Sequence, residues 1–98
     1  MAIYYVSFKL KKDSCVQEFL LAAKALNDEY ISKKKGYVSW QQLRDGDTWA
    51  DMCKFESVKD MEAFLEDAKT PNEVALRFYS FINLSTCKSH KFSIKVTH

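Results

Sequence analysis

The chain is poor in the residues that punctuate or cross-link a fold: its 98 residues include two glycines, one proline, three cysteines and two histidines. Each scarcity removes a class of function. Gly36 and Gly46 stand apart and neither lies in a Gly-rich phosphate loop, which excludes nucleotide binding of that type. Cys15, Cys53 and Cys87 form no CxxC pair and no Cys/His cluster, so neither a disulfide framework nor a zinc site is expected, and a reduced, cytoplasmic setting fits best. Both histidines, His90 and His98, fall near the C-terminal end, and neither sits at i, i+4 spacing from a carboxylate as a metal site would ask. A Ser-His-Asp or Cys-His arrangement would have to take its base from that tail, and a surface or structural role for both is the plainer reading. No metal ion or organic cofactor is expected. The N-terminus enters a strand-like run without a basic or long apolar leader, and no stretch approaches the roughly 20 apolar residues of a membrane span. A net charge of +2 is too small to imply a nucleic-acid or membrane partner.

What is present is apolar and well ordered along the chain. Hydrophobic residues make up 47% and aromatics 14% of the sequence, enough for a small core that a partner surface would help to complete. Tyr4, Val6, Phe8 and Leu10 alternate with Ile3, Tyr5, Ser7 and Lys9, the period of a strand. Asp13 or Ser14 can cap a following helix whose stripe is Val16, Phe19, Leu20, Ala23, Leu26, Tyr30 and Ile31. Gly36 ends it after three lysines, Lys33 to Lys35, which read as solvated charges near a helix C-terminus. Tyr37 to Leu43 and Thr48 to Phe55 form a hairpin around Asp45-Gly46. Ser57 with Asp60 opens a second helix carrying Met61, Phe64, Leu65 and Ala68; Thr70-Pro71-Asn72-Glu73 then predicts a cap at Thr70 and a further helical segment with Val74, Phe78 and Phe81 inward. Residues 83–89 are ambiguous between loop and early strand, and Phe92, Ile94 and Val96 alternate as a closing strand. The order is β-α-β-β-α-β, an α+β ferredoxin-like fold with a four-stranded antiparallel sheet and helices on one face. A single domain over residues 1–98 is expected.

Two features bear on chemistry. Asp51 shares a strand face with Trp49 and Cys53, so burial among apolar neighbours would raise its pKa and make it an acid or base; an ion-paired residue at a sheet edge is the alternative. Tyr4, Tyr5, Phe8, Tyr37, Trp40, Trp49 and Phe55 crowd the first three strands, where they fill core and subunit interface or line a pocket for a flat apolar molecule. Base stacking on such a sheet would follow the RNA-recognition topology, but the basic-Gly-aromatic run that marks it is absent from Thr48 to Phe55.

The order of elements, Gly36-Tyr37-Val38-Ser39-Trp40 at the start of the second strand, Trp49-Ala50-Asp51 in the third and Phe55-Glu56-Ser57 before the second helix resemble the antibiotic biosynthesis monooxygenase-like proteins, which are dimeric α+β barrels. The resemblance spans roughly residues 2–97 and implies a homodimer in which two sheets share one barrel. It also implies a cofactor-independent monooxygenase, acting on or binding a small aromatic or apolar compound between sheet and helices. Val6, Phe8, Phe64, Leu65 and Phe78 would supply the pocket, with Trp40, Trp49 and Asp51 as stackers or proton relay, on a sheet face the sequence leaves open. The haem-degrading branch of that group uses an Asn, a Trp and a His where this chain has Val6, Phe64 and a Val74 to Phe81 segment without histidine, so haem degradation is not implied. A non-catalytic homodimeric ligand-binding or assembly protein is the alternative.

Overall fold

In the computed structural model, which describes residues 1–98, β1 (Ala2–Leu10) runs through the sheet interior and the chain then turns sharply into α1 (Val16–Glu29). The turn uses up both expected caps. Asp13 adopts a positive φ of 65°, a conformation that short polar side chains tolerate, and the Ser14 hydroxyl donates to the Phe81 carbonyl at 3.5 Å. Cys15 is left as the capping residue without a side-chain hydrogen bond. Phe19, Ala22, Ala23 and Leu26 form the buried stripe of α1, with Ala22 in the place expected for Leu20, which is 41% exposed.

A short 3-10 turn (Ile31–Lys33) and Gly36, at a φ of 80°, lead into β2 (Tyr37–Asp45). Lys34 is not simply solvated. It pairs with Asp67 at 2.9 Å and its ammonium lies 4.3 Å from the centre of the Tyr30 ring, tying the turn to the end of the next helix. A two-residue loop joins β2 to β3 (Thr48–Phe55), and Gly46 supplies positive φ at its first position, the requirement of a II′ connection. Ser57 caps α2 (Val58–Asp67), its hydroxyl accepting from the Asp60 N–H at 3.0 Å. The cap of α3 (Glu73–Tyr79) is Asn72 rather than Thr70: its side-chain oxygen accepts from the Ala75 N–H at 2.9 Å. Thr70 instead turns its hydroxyl back to the Asp67 carbonyl, closing the end of α2.

The closing strand β4 (Ile82–Ser93) starts earlier and ends sooner than the alternation of Phe92, Ile94 and Val96 predicts. It is interrupted. Ser7 pairs with Lys88 and Lys9 with Asn83, so Phe8 alone opposes residues 84–87. The Asn83 side chain accepts from both the backbone and the hydroxyl of Ser85, and Thr86 Oγ1 accepts from the Lys9 N–H at 2.9 Å. These local bonds satisfy backbone that the ladder abandons, and they hide the strand's period from a reading of the sequence.

The sheet order is β2-β3-β1-β4 with every neighbouring pair antiparallel, the ferredoxin-like topology with its helices on one face. Phe8, Phe19, Phe55 and Met61 are fully buried between sheet and helices, each contributing roughly 1.5–3 kcal/mol of transfer free energy. Phe19 is the hub, its ring 5.2 Å from both Trp49 and Phe78.

The distinction between the two possible caps of α3 is measurable. Asn72→Ala should cost about 1 kcal/mol in urea unfolding, whereas Thr70→Ala should stay within about 0.5 kcal/mol.

Candidate ligand site between sheet and helices

Alternation along β1 and β3, combined with their register, assembles the site. Tyr4 pairs with Cys53, Val6 with Asp51 and Phe8 with Trp49, so all of these side chains share the face beneath the helices. On the other side of β3, Trp40 pairs with Cys53 and Gln42 with Asp51. A cavity of about 200 Å³ opens where the helices do not close completely over this surface. Val6, Phe8, Trp40 and Asp51 line it from the sheet, and Phe64, Leu65 and Phe78 from the helices. Trp49 does not. It is 6% exposed, wedged edge-on against Phe19 with the Arg44 guanidinium over its other side, and belongs to the core. Neither tryptophan faces the open side of the sheet, so neither is placed to fill an interface there.

Ten further lining residues lie outside the expected set, Tyr4, Cys53, Cys87 and Ser89 among them. Tyr4 and Cys53 have the strand parity of Val6 and Asp51, and parity alone could have found them. Cys87 and Ser89 could not be found that way, because the irregular stretch of β4 resets its alternation.

Asp51 is the only charged or polar side chain among the buried residues, at 5% exposure. It is neither ion-paired nor at an edge, since β3 is flanked by β2 and β1. No lysine, arginine or histidine lines the cavity. Burial therefore raises the Asp51 carboxyl to about 7, with the Trp40 and Gln42 N–H groups pulling it back only in part. The Gln42 contact is long, 3.5 Å from Nε2 to Oδ1. Burial also holds the Cys53 thiol and the Tyr4 and Tyr79 phenols in their protonated forms. The Tyr4 phenol is held down in part by the Ser89 side chain. The arrangement presents one carboxyl poised near neutrality in apolar walls, which is what a group that takes and returns a proton at cellular pH requires.

Against known proteins, no family model and no curated protein matches the sequence. Solved structures do match. A Nitrosomonas europaea protein provisionally named an antibiotic biosynthesis monooxygenase superposes with a TM-score of 0.70 over 98% of this chain and 100% of its own, at 14% identity. The fold is that of the antibiotic biosynthesis monooxygenase-like proteins. A conserved protein from Methanosarcina mazei Go1 matches at a TM-score of 0.72 and 15% identity, covering 97% of this chain and 94% of that one. A mutant of MhuD with two manganese protoporphyrin IX molecules bound per active site matches at 0.66 and 10% identity, covering 100% and 98%. At such identities the monooxygenase-like likeness is one of fold, and substrate and activity have to be argued from this chain's own residues.

Burial of Asp51 makes stability pH-dependent in a defined direction. Its folded pKa lies above its unfolded value of about 3.9, so between pH 4 and 7 the folded protein binds a proton that the unfolded chain has lost. Stability from this group is therefore full below pH 4 and declines as pH rises to about 7, by roughly 4 kcal/mol in total. Asp51→Asn should remove that decline. Unfolding free energies measured against pH should show the variant more stable than the wild type by about 2–4 kcal/mol at pH 8 and similar to it at pH 4.

Proposed function

We propose that this protein binds a small aromatic or apolar compound in the cavity between sheet and helices and oxidises it as a cofactor-independent monooxygenase, with Asp51 as the acid–base group. The observation that carries this reading is the single carboxyl, without a counter-charge, set in an otherwise apolar cavity of about 200 Å³. A cavity of about 150 Å³ is known to hold benzene, so a compound of one or two rings suits this one. Above pH 7 the Asp51 carboxylate accepts the proton of a phenolic hydroxyl, leaving an electron-rich anion that reduces dioxygen. In the net reaction a ring C–H and the hydroxyl of the phenol become the two carbonyls of a quinone; one oxygen atom of dioxygen enters the ring and the other leaves as water. The protein supplies desolvation, orientation and the base.

A porphyrin does not fit the same surface. Neither histidine reaches it: His90 stacks on Phe92 on the opposite face of the sheet, and His98 is the exposed last residue. The two thiols that line the cavity, Cys53 and Cys87, are both held protonated by burial and so are poor axial ligands.

A homodimer completes the fold in this reading. The helix-free face of the sheet carries Tyr5 and Phe92 edge to face at 6.4 Å, with Phe92 49% and Leu43 42% exposed. A second copy packed sheet to sheet buries these groups. No helix is long and apolar enough to cross a membrane; three free thiols suit a reducing compartment, and a cytoplasmic location belongs to this reading on that ground. That no lysine, arginine or histidine lines the cavity to work with Asp51 also fits a second reading, a homodimer that binds its ligand without turnover.

Thermal-shift titration with polyphenols, quinones, flavins and haem separates these outcomes. A polyphenol or quinone at 100 times its Kd should add about 2.7 kcal/mol of stability, with oxygen uptake that falls at least tenfold in Asp51→Asn. Binding without oxygen uptake selects the non-catalytic reading, and no shift with any member rules out a ligand of these classes. Phe92→Lys should convert a dimer to a folded monomer in sedimentation at micromolar concentration, since it removes a central aromatic, worth about 2 kcal/mol where it is a hot spot, and sets an unpaired charge in the interface; a monomeric wild type overturns the dimer.

A further inference from the structure

Among the side-chain nitrogens and oxygens fully withdrawn from solvent, the indole Nε1 of Trp40 is the one without a hydrogen-bond partner. Native proteins rarely leave a buried donor so. The N–H bears on the Asp51 carboxyl, favouring its ionised form, without closing a hydrogen bond of ordinary geometry. Both residues line the cavity. The carboxyl is no better served, its one side-chain hydrogen bond being the 3.5 Å contact from Gln42. A donor and an acceptor therefore stand side by side in an apolar enclosure, each with bonding capacity to spare.

The surrounding elements determine which ligand atom can use both. Tyr4 from β1, Cys53 from β3, Cys87 and Ser89 from β4, and Tyr79 from α3 face the site as neutral groups, while α1 contributes Leu26 and α2 contributes Phe64 and Leu65. A carboxylate or phosphate would meet Asp51 with no cation to offset it. An ammonium would satisfy Asp51 but has no lone pair for the Trp40 N–H. A carbonyl or ether accepts from Trp40 but brings no hydrogen for Asp51 in its ionised form. A hydroxyl does both, its oxygen accepting from Trp40 and its hydrogen donated to Asp51.

We propose that Trp40 Nε1–H and the Asp51 carboxyl act together as a hydroxyl-recognition pair, selecting neutral ligands of one or two rings that carry an aryl or enol hydroxyl. The inference rests on the ligand-pocket reading above and adds the group that the pocket reads. Trp40 is in this view a positioning residue, holding the hydroxyl oxygen while Asp51 holds its proton.

Calorimetric or fluorescence titration with 2-naphthol, 2-methoxynaphthalene and naphthalene tests it. The wild type should bind 2-naphthol at least tenfold more tightly than 2-methoxynaphthalene. Trp40→Phe, which keeps a ring and removes the N–H, should weaken 2-naphthol about tenfold while naphthalene changes less than twofold. Equal wild-type affinity for 2-naphthol and its methyl ether overturns hydroxyl recognition and leaves the apolar pocket standing. Equal losses for 2-naphthol and naphthalene in Trp40→Phe do the same. Failure of all three probes to bind the wild type overturns the pocket and the pair together. Should Trp40→Phe not fold, the wild-type comparison decides alone.

Discussion

The pairing of β1 with β3 is the constraint on which the rest depends. Side chains alternate across a strand with a period of two, so a shift of one residue would put Val6 and Phe8 on the face opposite Asp51 and Trp49 and bring Ser7 and Lys9 beneath the helices. No core could form on that second set. The fully buried rings of Phe8, Phe19 and Phe55 hold the register in place, and once it holds, Asp51 is confined beneath the helices and meets solvent only through the cavity. The unusual feature of the site, a lone carboxyl without a counter-charge, is thus a by-product of hydrophobic patterning that an ordinary core would require anyway.

Leaving an acid in that position works against stability at neutral pH, because burial disfavours its charged form. Proteins seldom keep such a group without compensation, and here compensation is partial: a long contact from Gln42 and the influence of an unpaired indole N–H. The irregular stretch of β4 adds to the same region. By letting residues 84–87 leave the ladder, it carries Leu84 and Cys87 to the cavity lining. Interrupted pairing, an orphaned donor and a raised pKa converge on one side of one cavity, which is where departures from local regularity are expected to have a use.

The sheet has a second constraint in its two faces. Helices α1 to α3 cover one, where the core lies, and Tyr5, His90 and Phe92 gather on the other, with ring centres 5.4 to 6.4 Å apart. An amphipathic sheet with apolar groups on both sides needs two coverings, and this chain supplies helices for one.

Most elements could be recognised from residues alone because their signals are local. Alternation marked β1 and β3, Gly46 marked the hairpin, and Ser57 with Asp60 marked the start of α2. Where two side chains compete for one backbone group, local rules failed. Asn72 took the cap expected of Thr70, and Asp13 entered the turn in place of capping α1. At the site, strand parity placed Asp51 with Cys53 and Val6 with Phe8, but parity gives only relative sides. Which side the helices cover, that Trp49 packs against Phe19 instead of lining the cavity, and that Asp51 lies in an interior strand with no cation near it all depend on contacts between residues distant in sequence. Periodicity by itself determined the elements and the division of each strand into two faces, because it is written in neighbouring residues. The tertiary structure decided the environment of each face, because burial and pKa depend on what packs there, and packing joins segments whose separation along the chain carries no local signal.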